Sequence, residues 1–346
     1  MSDSVRVLIV DDSASIRRLI KLGLEADPRL DVVAEAGSAR EAREAVRKHN
    51  PDVMTLDVEM PQMDGLEFLR RLMKARPMPV VMVSSHTVKG SEAAVRALAL
   101  GAVECIGKPR FGRAEETLSA LADALCLAAK ARVMGAARIQ PTVPYRQGNR
   151  NWNNKIVLIG ASTGGVEALE AVLTGFPTDC PPTLITQHMP AQFLVNFAAR
   201  LNGICKPNVS LAQDASLVQQ GQVMIAPGGE HHMELSADGT RTRLRSGEKV
   251  SGHRPSVDAL FLSARPVASR AIATLLTGMG SDGAAGMAAL RSEGALCIAQ
   301  DKETSVIYGM PRMACELGGV DVSLPLGGIA GRILDETNRK NSEVRT

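Results

Sequence analysis

Five short apolar segments, each followed by a segment of helical period, govern what the first third of the chain can fold into. Val5 to Val10 runs apolar into Asp11 and Asp12; Ser13 then stands as a helix cap, and Ile16, Leu19, Ile20 and Leu24 recur at helical spacing. The same alternation predicts strands at Asp31 to Ala36, Val53 to Asp57, Val80 to Ser84 and Val103 to Ile106. Helices are expected at Ala39 to His49, Leu66 to Lys74, Glu92 to Leu100 and Ala114 to Ala131. Apolar strands alternating with helices predict an α/β fold with a parallel, doubly wound sheet.

In such a sheet the ligand site lies at the C-terminal strand ends, which here gather Asp11, Asp12, Asp57, Ser84 and Lys108. Any one acidic residue in such a place is a solvated loop residue, but five polar groups together form a chemically specific crater. Three converging carboxylates repel one another unless a hard divalent cation sits among them, and Mg2+ is the expected occupant. Lys108 then neutralises one phosphoryl oxygen and the Ser84 hydroxyl bonds another. Asp57 is the expected nucleophile that takes up the phosphoryl group.

Residues 1–125 resemble the response-regulator receiver family. The resemblance rests on the acidic pair, the stretch DVEMPQMDG from Asp57 to Gly65, Ser84-Ser85 and Lys108-Pro109. It implies a flavodoxin-like (βα)5 fold, with Mg2+ held by Asp12, Asp57 and the Glu59 carbonyl, and by Asp11 through water. It also implies a sensor histidine kinase of a two-component system as phosphodonor. One position departs from the pattern: Cys105 stands three residues before the lysine, where receivers carry an aromatic that changes rotamer on phosphorylation. Its presence puts the usual aromatic switch in doubt.

A chain of 346 residues exceeds one compact domain, and about 150 residues per domain predicts two. Between Ala131 and Asn154, prolines, glycines, asparagines and basic residues replace the apolar periodicity, and residues 126–152 are read as a linker. A net charge of +3 is too small to argue for nucleic acid, and no helix-turn-helix with a basic face follows the linker. Six cysteines are scattered without a C-x-x-C pair, which fits reduced thiols in a cytoplasmic protein and not a zinc site. The start at Met1 lacks the basic and small-residue marks of a signal peptide, and no apolar run is long enough to span a bilayer, so no membrane insertion is expected.

The second domain is expected over residues 153–346 as a doubly wound, mostly parallel α/β hydrolase domain of Rossmann-like type. The apolar strand Ile156 to Ile159 runs into Gly160-Ala161-Ser162-Thr163-Gly164-Gly165 and then a helix, satisfying the G-x-S-x-G elbow that lifts a serine hydroxyl above the sheet. His188 ends the strand Thr183 to Gln187, and Asp282 follows the strand Ala271 to Thr277 within GMGSDG. In this assignment Ser162 attacks a carbonyl carbon, His188 takes its proton and returns it to the leaving group, and Asp282 stabilises the imidazolium. Backbone N–H groups in the glycine-rich turns hold the oxyanion. The order Ser, His, Asp matches neither the α/β-hydrolase order nor the chymotrypsin and subtilisin orders.

Other readings stand beside this one. Gly278 to Gly283 is also a G-x-G-x-x-G after a strand, with Asp301 at the spacing of a ribose ligand in a dinucleotide fold. His231, His232 and His253 line a pocket or sit on the surface; His253, Arg254 and Asp258 build a cleft or brace loops; Met189 and Met279 are possible pocket walls.

Residues 153–340 resemble the chemotaxis protein-glutamate methylesterase (CheB) family. Matching stretches are IGASTGG around Ser162, ITQHMP around His188, IAPGGEHH, HRPSVDALF, LLTGMGSDGAAGM and AQDKETSVIYGMP. The resemblance implies Ser162, His188 and Asp282 as the triad and the Met279 amide as oxyanion donor, with no cofactor for ester hydrolysis. It implies methyl ester hydrolysis at glutamates of methyl-accepting chemotaxis receptors and deamidation of receptor glutamines. A receiver joined to such an enzyme suggests that the unphosphorylated receiver masks the cleft, or that phosphorylation promotes docking or dimerisation. The alternative from another class is a signalling adaptor that binds receptors without turnover.

Overall fold

Apolar runs rich in β-branched residues form the strands of two parallel sheets in this computed structural model, which describes residues 4–84, 88–109, 114–133 and 152–338. The chain divides into two compact units, within residues 1–138 and 139–346. Most of the expected linker, with Ser85 and His86, lies outside the described residues.

In the first unit β1 (Val5–Val10), α1 (Ala14–Glu25), β2 (Leu30–Ala36), α2 (Ala39–His49) and β3 (Val53–Asp57) are followed by α3 (Gly65–Ala75), β4 (Val80–Ser84), α4 (Val88–Ala99), β5 (Glu104–Gly107) and α5 (Ala114–Ala128). The sheet order is β2-β1-β3-β4-β5, all parallel. Alternate residues of each strand point to opposite faces. Leu8, Val10, Met54, Leu56 and Met82 therefore pack under Ala42, Val46, Leu69 and Leu72 of α2 and α3. Val7, Ile9, Val53, Val81 and Val83 pack under Ile20, Leu24, Leu121 and Leu125 of α1 and α5. Helix starts follow local chemistry: the side chains of Ser13, Ser38 and Asp64 accept from the amides of Ile16, Glu41 and Glu67. Helix α5 ends at Ala128, which is fully buried, three residues short of the expected Ala131.

The second unit contains β6 (Ile156–Ala161), α6 (Gly165–Thr174), β7 (Thr183–Gln187), α7 (Ala191–Ile204), β8 (Asn208–Leu211), β9 (Gln222–Ile225), β10 (His231–Leu235) and β11 (Thr242–Ser246). It continues through α8 (Val257–Ser263), β12 (Ala271–Leu275), α9 (Ala284–Ser292), β13 (Leu296–Gln300), α10 (Met310–Glu316), β14 (Val322–Leu324) and α11 (Leu326–Thr337). Its seven-stranded sheet has the order β14-β13-β12-β6-β7-β9-β8 and every pairing is parallel. The β10–β11 hairpin forms a separate antiparallel pair. Phe176, Phe197 and Phe261 are fully buried, and truncating any of them to alanine would cost about 3–5 kcal/mol. The chain reverses direction across the sheet between β6 and β12, the crevice where doubly wound folds bind ligands.

Candidate functional site

At the C-terminal edge of the first sheet, Asp11 and Asp57 are each 1% exposed and share one cation. Lys108 Nζ lies 2.7 Å from Asp57 Oδ2 and 3.0 Å from Asp11 Oδ2. One ammonium cannot satisfy two buried carboxylates: burial pushes the Asp57 carboxyl up to about 6, opposed by Lys108 and reinforced by the Asp11 charge. Burial also works against the charge on Lys108, but the two carboxylates outweigh it and its pKa is raised. Asp12 is exposed, and one carboxylate oxygen from each of Asp11, Asp12 and Asp57 lies within 4.8 Å of the others. Such an all-oxygen donor set suits a hard divalent cation.

Neighbouring backbone shapes the crater. Asp57 Oδ1 accepts from the Glu59 amide at 3.2 Å, and Asp11 Oδ1 accepts from the Ser13 amide at 2.9 Å. Ser84 is buried at the end of β4, and its carbonyl accepts from the Lys108 amide at 2.8 Å. Gly65 is required because a Cβ there would stand 1.9 Å from the Asp57 carbonyl oxygen. On β5, burial pushes the Cys105 thiol up to about 12, with Glu104 adding to the effect. A neutral, small thiol thus replaces the expected aromatic.

In the second unit Ser162, His188 and Asp282 come from the ends of three neighbouring strands, β6, β7 and β12. Ala161 pairs with Gln187 in the ladder, so Ser162 and His188 are the next residues out on adjacent strands. The Ser162 amide donates to the Thr277 carbonyl at 3.0 Å, and Gln187 Nε2 donates to the carbonyls of Ser162 and His188 at 2.9 and 3.1 Å. These bonds fix both backbones at the site.

Asp282 is 1% exposed and accepts four hydrogen bonds. Oδ2 receives His188 Nε2 at 2.7 Å and the Val257 amide at 2.8 Å; Oδ1 receives Ser256 Oγ at 2.8 Å and the Asp258 amide at 2.9 Å. Burial alone would raise its pKa, but the bonds from His188 and the α8 amides hold it below the ordinary carboxylate range. The imidazole therefore presents Nε2–H to the carboxylate, leaving Nδ1 as the basic nitrogen. That atom is buried without a hydrogen-bond partner among the described residues, so Ser162 and His188 are adjacent but not hydrogen-bonded.

Gly278 lies against the serine: a Cβ there would come within 2.7 Å of Ser162 Cβ and 2.3 Å of Met310 Sδ. Met279, the next residue, is 54% exposed. His253 stacks face to face on His188.

Several residues had no distinct signal in the sequence. Ser256 caps α8 and also bonds Asp282, inside the stretch HRPSVDALF. His232 is not a surface or pocket residue: it is fully buried, its Nδ1 accepts from the Ser256 amide at 3.2 Å, and its Nε2 meets the Glu248 carbonyl at 2.9 Å. Those partners hold the ring between the hairpin and α8. Arg254 bonds the carbonyls of Gly229 and Gly247, and Asp258 bonds Ser251 and the Gly286 amide, so both brace loops. Asp301 caps its own loop: Oδ1 accepts from the amide and hydroxyl of Thr304 at 2.9 and 2.6 Å.

A parallel sheet of receiver type in one unit and a doubly wound sheet with hydrolase groups in the other define the class: a phosphoacceptor receiver joined to an α/β hydrolase. The sequence pattern of the CheB methylesterase matches residues 157–333 and that of the response regulator receiver domain matches residues 7–121. The chain belongs to the CheB methylesterase family. It is 50% identical over 353 aligned positions to a protein-glutamate methylesterase/protein-glutamine glutaminase of Agrobacterium fabrum, covering 98% of this chain and 99% of that relative. A relative of the same description from Caulobacter vibrioides is 48% identical, covering 96% of this chain and 97% of its own length. Among solved structures, the CheB methylesterase catalytic domain of Thermotoga maritima superposes with a TM-score of 0.51 at 38% identity, covering 53% of this chain and 98% of that one. Among the described residues, no helix is long and apolar enough to cross a membrane.

Proposed function

We propose that this chain is a cytoplasmic, phosphorylation-regulated protein-glutamate methylesterase and protein-glutamine glutaminase that acts on methyl-accepting chemotaxis receptors. The observation that carries the reading is the buried His188–Asp282 bond of 2.7 Å beside Ser162, on three neighbouring strand ends. Ser162 Oγ attacks the glutamyl carbonyl carbon and His188 Nδ1 receives its proton, because Nε2 is committed to Asp282. The protonated imidazole then gives that proton to the leaving methoxide or amine, releasing methanol or ammonia and leaving an acyl ester on Ser162. Water, deprotonated by His188, attacks the same carbon and frees glutamate and the serine. The Met279 amide stabilises the oxyanion in both steps, so one site performs both reactions.

In this reading residues 1–125 form the receiver, 126–152 the linker and 153–346 the catalytic domain. Asp57 accepts a phosphoryl group from a sensor histidine kinase, while Lys108 and Ser84 engage the phosphoryl oxygens. The oxygen donors of Asp11, Asp12 and Asp57, with the Glu59 carbonyl, suit Mg2+. When bound, that ion supplies charge neutralisation at the acidic crater and the phosphoryl group. The test is methanol release from methylated receptor membranes by the purified protein, with and without a small-molecule phosphodonor and Mg2+. Release that rises with the donor and disappears in Ser162→Ala is expected; undiminished release in Ser162→Ala overturns the assignment.

A further inference from the structure

The receiver unit holds a cavity that neither reaction uses. It lies between α2 and α3 and has a volume of about 490 Å3. Arg43 and Arg47 line one wall, Arg71 and Arg76 the other, and Val46, Phe68 and Leu72 form the floor. Helix α2 ends just before β3 begins at Val53, and α3 ends just before β4 begins at Val80. The C-terminal ends of both helices therefore sit at the sheet edge opposite Asp57.

We propose that this cavity is a docking groove for an acidic amphipathic helix of a partner protein, independently of the methylesterase reading. Helix dipoles favour cations in last turns and would account for Arg47. They do not account for Arg43 in the middle of α2. Arg71 is paired to Glu67 at 2.6 Å, and Arg76 is tied to the Val46 carbonyl and Asn50, which fixes that wall. Arg43 and Arg47 are exposed and make no ion pair among the described residues. Four residues apart on one helix, they stand about 6 Å apart along its axis. Guanidinium groups in two rows flanking an apolar floor complement carboxylates in rows flanking an apolar stripe, as on an amphipathic helix. A lipid surface fits less well, since membrane docking uses protruding apolar side chains. Here Val46 and Phe68 are 4% exposed and Leu72 9%, recessed below the arginines.

The experiment measures fluorescence anisotropy of a labelled Glu/Leu amphipathic helical peptide with the full chain. A peptide of the same composition scrambled to lose helical period serves as the comparison. Expected is saturable binding to the amphipathic peptide that weakens with salt and falls at least about tenfold in Arg43→Glu/Arg47→Glu. That variant should keep wild-type ester hydrolysis and Asp57 phosphorylation, which reports an intact fold. Absence of saturable binding, equal binding of the scrambled peptide, or an unchanged double variant overturns the proposal. Co-sedimentation with phosphatidylserine vesicles that requires Arg43 and Arg47, without peptide binding, overturns it in favour of a membrane surface.

Discussion

The imidazole rings of His188 and His253 lie parallel, with centroids 3.7 Å apart and planes 6° from each other. Two charged rings so placed would repel strongly. Burial, with His188 adding, holds the His253 pKa below its ordinary value of 6.5. His253 thus takes up its proton less readily folded than unfolded. Its contribution to stability is present above pH 6.5 and is lost as pH falls below that value, where the unfolded chain binds a proton the folded chain refuses. The melting temperature of wild type relative to His253→Gln should therefore drop between about pH 8 and about pH 5. Parallel curves for the two proteins would refute this.

Replacing Asp282 by Asn should impair both activity and stability. The carboxylate accepts at both oxygens from four donors, whereas Asn has one acceptor and would turn its NH2 toward two of them. Loss of activity by about 10^4, as the wrong imidazole tautomer produces in serine proteases, is expected. Unfolding titrations should also register about 1–3 kcal/mol per buried donor left unpaired. Near-wild-type turnover in Asp282→Asn would remove the residue from the mechanism.

Gly278→Ala tests the close approach of two loops. The added methyl would meet Ser162 Cβ at 2.7 Å and Met310 Sδ at 2.3 Å, so either the serine or the Met279 amide must move. A displacement near 1 Å can cost about a hundredfold in rate, chiefly in kcat. Steady-state kinetics with a soluble glutamyl methyl ester should show that fall; unchanged kcat would mean the turn yields without cost.

Divalent cation should stabilise the protein through the receiver crater. Millimolar Mg2+ is expected to raise the melting temperature of wild type, because an ion that binds only the folded state stabilises by mass action. Asp57→Asn and Asp12→Asn each remove one carboxylate from the cluster within 4.8 Å and should diminish the shift. An equal shift in all three proteins would place the ion elsewhere.

The receiver was legible because each strand is an apolar run and the reactive groups follow at its end: Val53 to Leu56 announces Asp57, and Val80 to Val83 announces Ser84. Ser162 and His188 were legible for the same reason. What supports them was not, since such contacts have no period. Ser256 and the α8 amides reach Asp282 across 24 to 26 residues, and His232 reaches Ser256 across 24. The buried His232 sits in a hairpin beside charged Arg243 and Arg245, and in sequence it reads as loop. Which imidazole nitrogen serves Asp282 depends on ring orientation and has no trace in residue order.

The position of β12 sets when the site comes into being. Ser162 and His188 follow neighbouring strands close in sequence, but the carboxylate that orients the imidazole arrives 94 residues after His188, in the loop that follows β12 on the other side of β6. A growing chain on the ribosome contains its serine and histidine well before Asp282 has been added. Such a chain has an imidazole without its orienting carboxylate, and it waits for β12 before it can cut an ester efficiently.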